Sequence, residues 1–223
     1  TTQTDPDNMF SLNWLGDFSD YMIYDDYVND LKEEDFPFED WEIRVEGMVD
    51  HPYTMTLGEM IETMPSVTRI MSMHCTLDPC AGGLITTCEV TGIPVSALLE
   101  KAGVQEGAIE VYTEPADGVC TYPTTLEWLA EHDGLLVYEI NGQRLKMYQG
   151  YPVQSWMPGM GAPNFAKQVS RLLVSDDPVD ELYTYVGWVR EEEGRFFNKP
   201  NASIFYTKEG QIIEAGQPYT FEG

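Results

Sequence analysis

The feature that most constrains this chain is the shortness and irregular order of its patterned segments. Between residues 41 and 174 none is longer than about ten residues, and strand-like and helix-like pieces follow one another without regular alternation. Residues 41–47, Trp-Glu-Ile-Arg-Val-Glu-Gly, alternate apolar and polar side chains, the period of a half-buried strand. Asp50-His-Pro-Tyr reads as a turn, and Thr56 followed three residues later by Glu59 has capping-box form, opening a short helix that ends near Pro65. Residues 67–75 predict a strand, 93–102 a helix stopped by Gly103, 108–112 a strand and 126–131 a short helix. Residues 135–140 predict a strand running into the hairpin turn Asn141-Gly142, and 169–174 a further strand. Such a mixture predicts an α+β fold built on a mixed β-sheet rather than a doubly wound one.

Three regions follow. Residues 1–40 form an acidic, aromatic N-terminal arm in which Tyr21, Tyr24, Tyr27 and Phe36 interleave with carboxylates, and the arm is expected to pack its aromatics onto the body. Residues 41–180 are the body. Residues 181–223 are a C-terminal extension in which alternation returns at 203–206, 212–213 and 219–221 around a Glu209-Gly210 turn, predicting a β-rich tail.

The chain carries 38 acidic against 12 basic side chains, a formal net charge of -26. That sign repels phosphate backbones and anionic lipid surfaces, so neither nucleic acid nor membrane-surface binding is expected. No apolar run approaches the ~20 residues of a membrane helix. The polar start, residues 1–8, resembles a linker left after removal of an export signal, so an extracytoplasmic location is expected.

The four cysteines are Cys75, Cys80, Cys88 and Cys120, and none forms a CxxC pair. His74, Cys75 and Cys80 could contribute to a zinc site, but their spacing matches no common structural one. In an exported protein a disulfide among Cys80, Cys88 and Cys120 is open, and spacing does not choose the pair.

An ordered set of segments resembles the molybdopterin-binding domain of the sulfite oxidase family. Residues 41–57 are similar to its opening strand, glycine, Pro turn and Thr-Leu helix start. Residues 68–75, Thr-Arg-Ile-Met-Ser-Met-His-Cys, resemble the strand that ends in the family's metal-binding cysteine. Residues 88–103 are similar to the Trp-x-Gly-x-Pro-Leu-x-x-Leu-Leu helix, while 135–145, 150–153 and 157–159 resemble the late core. The resemblance spans about residues 41–176. The tail from Lys199 looks like the entrance to the immunoglobulin-like domain that follows in many members, here absent or truncated.

The resemblance implies a molybdenum-pterin-dependent oxidoreductase performing oxygen-atom transfer on a small substrate. Its electrons would pass to a separate carrier, such as a haem protein or a quinone-linked subunit. It implies Cys75 as the metal ligand, in keeping with the preference of soft metals for thiolate. Lys167 would be the cation for the cofactor's phosphate, and Thr113, Gln149 and Gln154 further cofactor contacts. Relatives carry an Arg where this chain has Gln154, so a fixed charge and a bidentate fork are missing. Ala97 stands where sulfite oxidases often carry Asp. Arg69 and Arg171 are candidate substitute cations, but Arg69 is expected to pair with a carboxylate in so acidic a chain. Tyr183, Tyr185 and Trp188 are candidates for the substrate-side aromatic. The depleted cations support one alternative, a cofactor-free member of the same fold serving as an extracellular binding or assembly module.

Overall fold

The computed structural model describes residues 33–74, 85–116, 123–161, 164–177 and 210–220. Ten strands and three helices in these residues build two five-stranded sheets. The first sheet has the order β2-β1-β10-β5-β6, from β1 (Glu42–Gly47), β2 (Tyr53–Thr56), β5 (Glu110–Pro115), β6 (Thr124–Thr125) and β10 (Val169–Ser175). Only the β1–β10 pair is parallel in it. The second sheet has the order β3-β4-β7-β8, from β3 (Val67–His74), β4 (Ile85–Pro94), β7 (Leu135–Ile140) and β8 (Gln143–Arg144), with β9 (Gln154–Trp156) also paired to β7. The α+β class is the class expected; the first sheet is mixed, and the second is antiparallel throughout.

β1 shows why these residues form strands. Its Ile43 and Val45 are fully buried while Glu42 and Arg44 are exposed, so alternation in sequence becomes one wet and one dry face. Helix α1 (Leu57–Thr63) starts in the expected capping box: the Thr56 hydroxyl accepts from Glu59 N, and Thr56 N donates to the Glu59 carboxylate. Helix α2 (Val95–Ala102) buries Val95, Leu98, Leu99 and Ala102 and stops where Gly103 turns left-handed at φ 69°. Helix α3 is Leu126–His132. Asn141 and Gly142, at φ 52° and 71°, make the hairpin between β7 and β8.

Three expectations need correction. The helix expected from Ile93 begins at Val95, because Ile93 and Pro94 complete β4 by pairing with Leu136 and Leu135. The strand expected at 108–112 lies at Glu110–Pro115, in register with β10. Of the expected β-rich tail, residues 203–206 and Phe221 lie outside the described residues, while 211–220 form no strand and are exposed, Ile212 at 96%. Alternation there meets no described strand edge to pair with, and an unpaired strand leaves its backbone groups to water.

The segment before Trp41 docks as expected where it is described. Phe36 packs on Trp41 with ring centroids 5.4 Å apart, and Phe38 is buried against Tyr138 and Tyr151 under the Arg144 guanidinium. Tyr21, Tyr24 and Tyr27 lie outside the described residues. No helix among the described residues is long and apolar enough to cross a membrane.

Candidate functional site

Strand β9 and the segment after it organise the site. β9 borders β7, and a further bridge pairs Gln154 with Lys167 in antiparallel sense. Gln168 N donates to Gly150 O at 3.3 Å and Val169 N to Val153 O at 3.2 Å, so the chain returns beside its own 150–153 stretch before entering β10. Gly150, at φ 96°, lies so close to Lys167 that a Cβ there would meet the lysine Cβ and Cγ at 2.8 Å. Only glycine accommodates both the left-handed backbone and this approach.

Four expected site residues are gathered by this arrangement. Lys167 is half-buried, and burial pushes its ammonium down to about 8 from an ordinary 10.5. Gln149 is buried in the 3-10 turn Met147–Gln149. Its Oε1 accepts from Lys146 N at 2.8 Å, and its Nε2 has no partner among the described residues. Gln154 is buried with its carboxamide engaged inside the protein: Nε2 donates to Phe165 O at 3.4 Å and Oε1 accepts from Trp156 Nε1 at 3.0 Å. Thr113 comes from β5 in the other sheet and is buried against Ser155, its Oγ1 lying 3.2 Å from the Ser155 Oγ. Sequence reasoning did not single out Ser155. No spacing marks a serine in a three-residue strand, and only its hydrogen bonds reveal it.

The substitute cations are occupied. Arg69 lies 3.7 Å from the Asp133 carboxylate. Arg171 sits between Glu46, at 2.9 Å, and Glu114, and these carboxylates raise its pKa against the opposing effect of burial. The pairing of Arg69 is the expected one, and Arg171, a candidate substitute cation, is paired as well. Ala97 is part of α2, remote in sequence from the β9 cluster.

Cys75, Cys80 and Cys120 lie outside the described residues, as do Tyr183, Tyr185 and Trp188. Cys75 follows directly on β3. Register places Val67, Gly92, Val137 and Gln154 level across the second sheet, so β3 carries the chain seven residues beyond that level to His74. Cys88 is a free thiol on β4, buried, with its pKa pushed up to about 12 by desolvation. Such a thiol is a poor ligand and a poor nucleophile. Among the described residues no group of three His, Cys, Asp or Glu side chains is placed to hold a metal.

These observations describe a two-sheet α+β domain with a cation and an amide donor beside a glycine turn, a donor set suited to an anionic group. The model of the oxidoreductase molybdopterin binding domain matches residues 30–183, and the chain belongs to that family. The chain is 24% identical over 176 residues to the NADPH nitrate reductase of Emericella nidulans, covering 70% of this chain and 20% of that protein. It is 25% identical over 174 residues to NADH nitrate reductase 1 of Nicotiana tabacum, covering 66% and 19%. The chain therefore spans about a fifth of the length of these relatives. Among solved structures, sulfane dehydrogenase SoxCD from Paracoccus pantotrophus superposes with a TM-score of 0.59 at 25% identity, over 66% of this chain and 41% of that one. The fold is thus the sulfite-oxidase-type molybdopterin fold, and molybdopterin is the family's cofactor.

Proposed function

We propose that this domain holds a molybdenum-bearing pterin and serves oxygen-atom transfer on a small substrate, with electrons leaving to a separate carrier and with an extracytoplasmic site of action. The observation that carries the proposal is the placement of Lys167 and Gln149 at the Gly150 turn: Lys167, a desolvated cation, packs its side-chain stem on Gly150, and Gln149, one residue before that glycine, is buried with its Oε1 bonded to Lys146 N. A lysine held at about 8 by burial gains from any anion placed against it, and the cofactor's phosphate is one.

In this reading Lys167 neutralises the phosphate and Gln149 donates from Nε2. Gln154 and Thr113 act from behind, because their side chains are engaged with Trp156, Phe165 and Ser155. Cys75 supplies the thiolate that completes the metal's sulfur ligands. A metal-bound thiol is deprotonated outright, which its position after β3 has to permit and which the buried Cys88 cannot offer. When bound, the cofactor supplies a metal centre that exchanges an oxygen atom with substrate and takes up or releases electron pairs.

The test is metal and pterin analysis of the full chain produced in a molybdenum-replete host. Molybdenum and pterin in equal, near-stoichiometric amounts are expected. A folded protein containing neither refutes the proposal. It would favour the second reading, a cofactor-free binding or assembly module, for which the occupied Gln154, Arg69 and Arg171 speak.

A further inference from the structure

The segment that carries Lys167 is fastened through one hydroxyl. Ser155 is fully buried in β9, and its Oγ has three neighbours: Ala166 N at 2.7 Å, Asn164 O at 3.1 Å and Thr113 Oγ1 at 3.2 Å. A serine hydroxyl has one proton and two lone pairs. An amide N–H only donates and a carbonyl only accepts. Ala166 N therefore fills one lone pair, and the Ser155 proton goes to Asn164 O. The remaining lone pair accepts from the Thr113 hydroxyl, whose proton is thereby committed to Ser155 and not to a ligand.

The backbone adds to the fastening. Ser155 N donates to Ala166 O at 2.9 Å, and the Gln154 carboxamide reaches Phe165 O. Three successive residues, Asn164, Phe165 and Ala166, are thus laced to two successive residues of β9. Lys167 comes next in the chain, bridged to Gln154 and pressed against Gly150.

We infer that Ser155 is a positioning residue: its hydroxyl fixes residues 164–166 and so sets the Lys167 ammonium at the phosphate end of the bound pterin. The inference rests on the proposed role of Lys167. Removing the hydroxyl leaves the buried Ala166 N–H without its acceptor, and a buried donor moves the backbone to find another. The residue immediately downstream of that movement is Lys167.

The experiment titrates the apo-chain with molybdopterin released from a purified molybdoenzyme, followed by pterin fluorescence between pH 7 and 9.5. Ser155→Ala and Lys167→Met are each expected to weaken binding about tenfold. The double variant is expected to weaken it about tenfold as well, rather than a hundredfold, because both act through one contact. In the native chain affinity falls as the pH passes about 8, where the ammonium is lost. In Ser155→Ala that dependence flattens, which mere destabilisation would not produce. A hundredfold loss in the double variant, or an unchanged pH profile in Ser155→Ala, overturns the inference. So does native affinity in Ser155→Ala while Lys167→Met is impaired. Native affinity in Lys167→Met instead removes the reading of Lys167 on which the inference rests. If Ser155→Ala does not fold, Ser155→Cys enters the same cycle, its weaker hydrogen-bonding thiol expected to give a smaller loss with the same non-additivity.

Discussion

Replacing Lys167 with methionine should make the apo-protein more stable while weakening its hold on the cofactor. Methionine keeps the length of the side chain and removes the charge. The ammonium is held at about 8 by burial against an ordinary 10.5, a gap of about 3 kcal/mol at 1.36 kcal/mol per pH unit. Solvent still reaches part of the side chain, so about 2 kcal/mol is the expected gain at pH 7. For a chain of this size that is a rise in Tm of about 4–8 °C. The pH dependence gives the sign. Below about 8 the lysine is protonated in both folded and unfolded chains, and the native protein carries the full penalty. Between about 8 and 10.5 the unfolded chain binds more protons than the folded one, so native stability rises with pH and the gap to the variant closes. Tyr53 and Cys88, both raised to about 12 by burial, work in the opposite direction above about pH 9, but equally in both proteins. Urea unfolding of the two apo-proteins at pH 7, 8, 9 and 10 reads this difference directly. A variant less stable than the native chain, or a gap that stays constant from pH 7 to 10, would refute the reasoning, since it would mean that the ammonium is fully compensated in the apo-protein.

Gly150→Ala places a Cβ against Lys167 and forces a left-handed alanine; a loss of about 2 kcal/mol in unfolding free energy is expected, together with loss of pterin. Asp133→Ala removes the carboxylate that accepts from Ser96 N and Oγ at the start of α2, where Pro94 offers no side-chain cap; a cost of about 1 kcal/mol by thermal melting is expected, without change in pterin content. Cys88 should resist iodoacetamide at pH 8 in the native chain and react only in denaturant, as mass spectrometry of the Cys88 peptide would show.

What was legible in the sequence depended on whether a segment carries its own signal. β1 and β7 were readable because alternation or a compact apolar run sits within the segment and burial follows it. The Thr56–Glu59 box and the Gly103 stop were readable because capping is local chemistry. β4 was obscured: Cys88, Val90 and Gly92 do alternate inward, with Glu89 and Thr91 between them, but the Ile93-Pro94 step resembles a helix entrance, and only β7 decides the matter. β9 has three residues and exists through its pairing to β7 and its bridge to Lys167. Lys167, Gln149 and Gln154 were found through the order of motifs, not through any local pattern. Ser155 could not be found that way, because its importance lies in three contacts with residues 9 to 42 positions distant. The same distance hid the engagement of Gln154 by Phe165, 11 positions along the chain.

The central claim is that Cys75 supplies a sulfur to molybdenum in this chain, and X-ray absorption at the molybdenum edge tests it most directly. The purified full chain should show the cofactor's own sulfurs plus one further sulfur at about 2.3–2.5 Å, by analogy with metal–thiolate bonds, and Cys75→Ser should lose that one sulfur while keeping pterin bound. An identical sulfur shell in the native chain and in Cys75→Ser would contradict the claim.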